Sequence, residues 1–167
     1  MDGSGAEEFE PWYRREYPRV LATLVLVVGD GELGREAADE AFARALARWS
    51  SVSRMVSPAG WTYRVALNLA RRSARRATAE RRLLRLARPD GLAVPAPAVE
   101  LWQVVRQLPR RQREVVVLRH LVDLREREIA DVLGIRRSSV SRSLAAAHRT
   151  LRGWLSDDID EMRSGNV

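Results

Sequence analysis

The sequence predicts an all-α protein made of two small helical domains joined by a flexible linker. Leu, Val and Ala recur at helical spacing along most of the 167 residues. No stretch of any length alternates apolar and polar residues as a half-buried strand does. Turn-forming residues separate the helical segments, and a chain of this length can hold one medium domain or two small ones.

The first domain is expected over residues 1–76. Residues 1–8 look like a loose polar start. The apolar periodicity then predicts three helices, at Phe9–Val28, at Gly34–Trp49 and from Pro58 to about Arg76, with turns at Gly29–Leu33 and Ser50–Ser57. The run Val20–Val28 is too short to cross ~30 Å of hydrocarbon, so it is interpreted as part of a buried helix.

Residues 77–98 are predicted to be a linker, because an Arg-rich stretch is followed by AVPAPA, whose prolines oppose helix. The second domain is expected over residues 99–156. It should contain a helix from Val99 to about Leu108, a second that starts at Pro109, and a helix–turn–helix. The acidic and then polar tail, residues 157–167, is expected to fray.

The charge of the chain favours a polyanionic partner. The net charge is +7 and the isoelectric point is about 11.1, which is typical of nucleic-acid-binding domains. All 29 basic residues are Arg; because Arg and Ala have GC-rich codons, that preference is interpreted as mutational.

The composition also argues against several kinds of site. The chain has no Cys and only two His, so no disulfide, thiolate metal site or nucleophile–base pair is expected. We therefore predict no catalytic residue, no metal, no cofactor, no small-molecule substrate and no membrane insertion, and expect a cytoplasmic protein that is not an enzyme.

Residues Leu124–Leu151 predict the helix–turn–helix. Gly134 suits the end of the first helix, where a residue tolerant of positive φ is needed. Val140, Leu144, Ala147 and Leu151 then form an inner apolar stripe on the second helix. The polar and basic residues expected to contact DNA are Arg136, Arg137, Ser138, Ser139, Ser141, Arg142 and Arg149. An ordinary helical hairpin with solvated arginines is the alternative.

The helix that starts at Pro58 carries a second basic face. Trp61, Val65 and Leu69 share one side, and the helix is expected to bury Trp61 and Leu69. A stripe of guanidinium groups about one turn apart suits a phosphate backbone, and an amide within it can bind a base edge. The candidate DNA-binding residues here are Trp61, Arg64, Asn68, Arg71, Arg72, Arg75 and Arg76. Tyr63 is a further candidate for stacking on a base, and Trp61 could equally belong to the core.

Three stretches together resemble the extracytoplasmic-function sigma factors of bacterial RNA polymerase. They are AADEAFARALARW at 37–49, PAGWTYRVALNLARRSARR at 58–76 and LPRRQREVVVLRHLVDLREREIADVLGI at 108–135. The similarity runs from Phe9 to Leu155 in the order region two, linker, region four, and it is nearest to the SigE-like actinobacterial type.

The resemblance implies a promoter-specificity subunit. Region two would bind the clamp helices of core RNA polymerase through Glu36, Asp39, Glu40 and Arg44, and would recognise and melt the −10 element. Region four would bind the −35 element, while its Leu101–Leu108 side would meet the polymerase flap. An anti-sigma protein is a possible partner that the resemblance suggests.

The sequence departs from the family pattern at three places. Arg142 lies between Ser141 and Ser143, where relatives carry basic residues. Arg125 replaces the usual hydroxyl before the first helix of the motif, which leaves Asp123 as a candidate cap. Asp39 stands where relatives often have Gln.

Two other function classes explain the sequence less completely than a sigma factor does. An autonomous helix–turn–helix regulator that works without polymerase would explain residues 124–151. It would leave unused the helix that carries Asn68 and the acidic patch formed by Glu36, Asp39 and Glu40. An enzyme acting on nucleic acid lacks a metal cluster or nucleophile, and His120 and His148 are interpreted as partly exposed helical residues.

Overall fold

A computed structural model describes residues 3–84 and 99–164, with side chains described for 7–79 and 102–154. Every regular element within these residues is a helix. The chain divides into two compact units, the first holding α1 to α4 and the second holding α5, α6, α8 and most of α7. The predicted all-α class with two helical domains is therefore confirmed.

The first two helices start earlier than the sequence predicted. Helix α1 spans Gly3–Val28, so most of the expected loose start at residues 1–8 is helical. The left-handed Gly29 (φ 75°) ends it. Helix α2 spans Gly31–Ala47 and starts three residues before the predicted Gly34. Its beginning is set by Asp30, whose Oδ1 accepts from the Leu33 N–H at 3.1 Å, which satisfies one orphan donor of the first turn.

The next two helices correct the predicted domain end. A short helix, α3 (Trp49–Val52), occupies the start of the turn that was expected at Ser50–Ser57. Helix α4 spans Pro58–Leu84, and Ser57 Oγ accepts from the Gly60 N–H at 3.0 Å in its first turn. The helix therefore continues through residues 77–84, where the linker was predicted to begin, and the rest of that linker, 85–98, lies outside the described residues.

The core of the first unit is aromatic at one end. Helix α1 packs against α2 and α4, and α2 packs against α4. The Phe42 ring lies 5.3 Å from that of Trp12, 5.2 Å from that of Tyr13 and 5.4 Å from that of Tyr17, measured between centroids. Phe9 and Trp49 extend the cluster. Such tilted and edge-on arrangements are the favoured ones for aromatic rings.

Helix α4 buries a different face from the one predicted. The fully buried residues on it are Thr62, Tyr63, Ala66, Leu67 and Ala70, whereas Trp61, Val65 and Leu69 are only half-buried. The prediction that Trp61 and Leu69 provide the buried face is therefore wrong. Two alanines on the buried face let α4 approach its neighbours closely, and a Trp there would not fit that spacing.

The second unit follows the predicted order of helices. Helix α5 spans Val99–Gln107 and packs against α6 (Arg110–His120), which Pro109 precedes. Helix α7 spans Glu126–Leu133, and helix α8 spans Arg137–Ser164 and packs against α6. The backbone of the predicted frayed tail is thus helical from residue 157 to Ser164.

The cap of α7 is not the one predicted. Arg125 is the cap residue, and its N–H donates to Glu128 Oε2 at 2.8 Å. Asp123 instead adopts a left-handed backbone with φ 59°, a conformation that Asp tolerates better than most residues. Asp123 turns the chain after α6 with its left-handed backbone, and Arg125, two residues later, is the cap of α7.

The core of the second unit is aliphatic. Its fully buried side chains include Val115, Val117, Leu118, Ile129 and Val140. The inner stripe predicted for α8 is buried as expected at Val140, Leu144 and Ala147, whereas its last member, Leu151, is half-buried. Glu114, 1% exposed, accepts from Arg110 and Arg111 at 2.9 and 3.0 Å, so this buried carboxylate is compensated by two guanidinium groups.

Candidate nucleic-acid interface

The basic stripe predicted on α4 is present on one side of the helix. Arg64, Asn68, Arg72, Arg75 and Arg76 are exposed. Among the side chains that the structure describes, no carboxylate is paired with these four arginines. Arg71 differs from them because it is half-buried, and its Nη1 lies 3.4 Å from Asn68 Oδ1. Five polar groups therefore face solvent in a row, and four of them are cations.

The aromatic candidates of α4 separate into one accessible ring and one buried ring. Tyr63 is only 1% exposed, and burial raises its pKa to about 12; stacking of Tyr63 on a base, as predicted, is therefore wrong. Trp61 is half-buried and lies on the side of the helix next to Asn68 and Arg72. Trp61 is thus the aromatic side chain of α4 with a partly accessible face.

The helix–turn–helix is built as the sequence predicted. Gly134 ends α7 with φ 65°, and the Ile135 N–H donates to Ala130 O at 3.0 Å across the turn. The exposed residues of the predicted set on α8 and its entrance are Arg136, Arg137, Ser138, Arg142 and Arg149. Ser139 and Ser141 are half-buried, so they are less accessible than predicted.

A hydrogen-bonded group links the two helices of this motif. Ser141 Oγ donates to Glu126 Oε2 at 2.6 Å, and Arg137 Nε lies 3.4 Å from the same oxygen. The hydrogen bond from Ser141, with a smaller effect of Arg137, lowers the pKa of Glu126. Glu126 was missed by the sequence reasoning because it lies 15 residues from Ser141, and no periodicity connects positions on two different helices.

The acidic patch of α2 is exposed and is held partly by side chains of its own unit. Glu36, Asp39, Glu40 and Arg44 all face solvent. Arg44 Nε pairs with Glu40 Oε1 at 2.7 Å, and the Tyr17 hydroxyl donates to Asp39 Oδ1 at 2.6 Å. Burial, and then the bond to Asp39, raises the pKa of Tyr17 to about 12. Tyr17 was not among the predicted residues.

The residues that the structure describes offer neither a metal cluster nor a membrane-spanning helix. Within the described part of the chain, no group of three or more His, Cys, Asp or Glu side chains is placed to hold a metal ion. No helix in that part combines the length and apolar character that crossing a bilayer requires.

Comparison with known families relates this geometry to transcription initiation. The family model of sigma-70 region 2 matches residues 12–80, and the model of sigma-70 region 4 matches residues 98–151. The first match covers most of α1, all of α2 and α3, and most of α4, and the second covers α5 to α7 and the first half of α8. The chain thus belongs to the sigma-70 family of RNA polymerase sigma factors, and its two regions are those of the extracytoplasmic-function type. This family consists of transcription initiation factors rather than enzymes.

Individual relatives agree with the family. The chain is 27% identical to a probable RNA polymerase sigma factor RfaY from Xanthomonas campestris, over an alignment of 165 residues. That alignment spans 89% of this chain but only 40% of the relative.

Two solved structures share the fold. The sigma factor RpoE from Bartonella quintana, crystallised with the anti-sigma factor NepR, has a TM-score of 0.80 at 13% identity, over 90% of this chain and 98% of that one. CnrH, solved with the cytosolic domain of CnrY, has a TM-score of 0.64 at 22% identity, over 92% of this chain and 90% of that one.

Proposed function

We propose that this protein directs core RNA polymerase to specific promoters, with the first unit acting at the −10 element and the second at the −35 element. The observation that carries the proposal is the match of both sigma-70 regions, in order, to two helical units. Each unit also presents exposed arginines on one helix face. An autonomous regulator is not favoured, since it would have no use for the first unit.

In the first unit, α4 is proposed to hold the −10 element as a partly melted strand. Extruding a base costs a few kcal/mol, and stacking on an aromatic ring returns ~1–3 kcal/mol per base. Trp61 has a partly accessible face for this purpose, and Asn68 next to it can bond a base edge. Arg64, Arg71, Arg72, Arg75 and Arg76 are proposed as phosphate contacts, with Arg71 contributing least because it is half-buried.

In the second unit, α8 is proposed to lie in the major groove of the −35 element. Arg142 is an exposed candidate for a bidentate contact with guanine, and Arg149 lies two turns further along the same side. Arg136, Arg137 and Ser138 stand at the helix entrance, where phosphate contacts are typical. Ser139 and Ser141 are proposed to contribute less directly, because Ser141 is bonded to Glu126.

The acidic patch on α2 is proposed to bind polymerase rather than DNA. Glu36, Asp39 and Glu40 carry the charge that phosphates repel, and Arg44 beside them is paired with Glu40. We propose the clamp helices as the partner of this patch and the flap as the partner of α5. On α5, Val105 is buried, and the side chain of Leu101 lies outside the described residues.

The remaining partners follow from the same proposal. An anti-sigma protein is proposed because the structural neighbour RpoE was crystallised with one. We place the protein in the cytoplasm, where core polymerase is. We propose that it binds no cofactor or small-molecule substrate and catalyses no reaction, because the polymerase forms the bonds of the RNA. The SigE-like actinobacterial type is favoured by the use of Arg at every basic position, which is typical of GC-rich coding.

The test is run-off transcription of fragmented genomic DNA by purified core polymerase, with and without this protein. We expect discrete new transcripts whose upstream sequences share two spaced elements. An Asp39→Arg variant, which reverses one charge of the acidic patch, should bind core polymerase less and lose these transcripts. Sequence-specific DNA binding by the protein alone, with no transcripts, would overturn the proposal in favour of an autonomous regulator.

A further inference from the structure

The two histidines of the chain meet in the second unit. His120 ends α6 and His148 lies within α8, 28 residues later, yet their Nε2 atoms are 3.3 Å apart. Both residues are exposed, and their ring centroids are separated by 5.5 Å. Neither residue belongs to the proposed DNA-binding or polymerase-binding surfaces, so the sigma-factor function gives no reason for their pairing.

The distance between the two nitrogens is that of a long imidazole–imidazole hydrogen bond, and it also fits a shared metal ion. Ordinary N–H hydrogen bonds have heavy-atom distances of ~2.7–3.2 Å. Two nitrogens bound at ~2.0–2.1 Å to a tetrahedral Zn²⁺ lie about 3.3–3.4 Å apart. The observed 3.3 Å therefore needs little rearrangement of either ring for an ion to enter.

Both rings are exposed. Their position leaves room for water to complete the coordination of an ion held by the two nitrogens.

We propose that His120 and His148 form a two-histidine site for Zn²⁺ or a similar divalent transition-metal ion, which joins the end of α6 to α8. Imidazole nitrogen is a favoured ligand of these ions, and the other two positions are filled by water or by an incoming group. Because α6 leads into the helix–turn–helix and α8 is its second helix, a bound ion stabilises the second unit through its native state alone.

The experiment uses the full chain without an affinity tag, because a histidine tag would itself bind metal. Zn²⁺ is titrated calorimetrically near neutral pH, and the imidazole signals of both histidines are followed by NMR in the same titration. We expect one ion per chain, shifts of both imidazoles, and an unfolding temperature that rises with Zn²⁺. Affinity should fall as the pH is lowered through the imidazole range, since protons compete with the ion.

His120→Gln and His148→Gln should each lower the Zn²⁺ affinity at least tenfold and abolish the rise in unfolding temperature. Asp123→Asn is the matched control, because it removes an exposed carboxylate from the same unit while Asn still tolerates the left-handed backbone. Its affinity should equal that of the wild type. The proposal is overturned if millimolar Zn²⁺ does not bind, or if it binds both histidine variants as tightly as the wild type. Should a variant fail to fold, absence of any imidazole shift in the wild-type titration overturns it equally.

Discussion

The two units of this protein differ in how they present the basic side chains that we propose to bind DNA. The first has a core with a large aromatic cluster and presents four exposed arginines on α4, Arg64, Arg72, Arg75 and Arg76, that no described carboxylate pairs with. The second has an aliphatic core, and part of its polar face is held in place by Glu126, which accepts from Ser141 and faces Arg137. Exposed cations with no described carboxylate partner suit phosphate contacts that ignore sequence. In the second unit Glu126 holds Ser141 and Arg137 near the start of α8, and Arg142 further along the helix is the candidate for readout of a base edge.

The largest expected effect tests the aromatic core of the first unit. Phe42, 2% exposed, touches three other rings, so Phe42→Ala should lower the free energy of unfolding by ~3–5 kcal/mol. Native-state hydrogen exchange, read helix by helix, should show faster exchange in α1, α2 and α4. Leu118→Ala is the counterpart in the second unit, with its effect in α5 to α8. Equal acceleration in both units by Phe42→Ala would contradict their separate cores.

A second prediction uses pH, since all three tyrosines, Tyr13, Tyr17 and Tyr63, lie in the first unit. Burial raises the pKa of Tyr63 from 10.0 to about 12, so the folded state holds the neutral phenol more tightly than the unfolded state does. That stabilisation is fully present below pH 10 and is lost as the pH rises to about 12, in total ~2–3 kcal/mol.

Urea unfolding at the two ends of this pH range measures the loss. We expect this alkaline loss of unfolding free energy to be ~2–3 kcal/mol smaller in Tyr63→Phe than in the wild type. Tyr17, whose pKa is also raised to about 12, accounts for part of the loss that remains in the variant. An identical alkaline loss in wild type and variant would mean that Tyr63 is not held neutral by the fold.

The third prediction concerns base readout by the second unit. Arg142→Ala should cost ~1–3 kcal/mol of discrimination at one or two −35 positions, if Arg142 forms a bidentate contact. Arg142→Lys keeps the charge but not the guanidinium fork, so it should restore overall affinity more than discrimination. Transcription from a library of −35 variants by the reconstituted holoenzyme measures both. An unchanged promoter profile in Arg142→Ala would remove this residue from the readout.

The smallest expected effect concerns the stripe on α4. Arg75 is exposed, and Arg75→Ala should weaken promoter binding to a similar extent for every sequence. The slope of log affinity against log salt should fall by about one counterion. The measurement is the affinity of the holoenzyme for promoter DNA at several salt concentrations, for Arg75→Ala and Arg142→Ala side by side. It tests whether Arg75 acts as a phosphate contact and Arg142 as a base contact. If Arg75→Ala changes sequence preference instead, the comparison between phosphate contact and base readout fails.

Local patterns in the sequence determined the features that lie within a single helix or turn. Gly134 could be assigned to the turn of the helix–turn–helix because a left-handed backbone depends on the residue at that one position and not on contacts with other segments. The stripe Val140, Leu144 and Ala147 on α8 could be read from a single helical period. The exposed stripe of α4 could be read in the same way, and the family resemblance followed from three such stretches.

Tertiary structure decided the features that depend on contact between two segments of the chain, namely the buried face of α4 and the side-chain pairs between helices. Which face of α4 is buried could not be read from its apolar residues, because they occur on two sides, and only close packing against α1 and α2 selects Tyr63, Ala66 and Ala70 over Trp61. The contacts of Glu126 with Ser141, of Tyr17 with Asp39 and of His120 with His148 join residues on different helices. Periodicity describes one helix against its surroundings, whereas these pairings depend on the packing of one helix against another, which only the fold supplies.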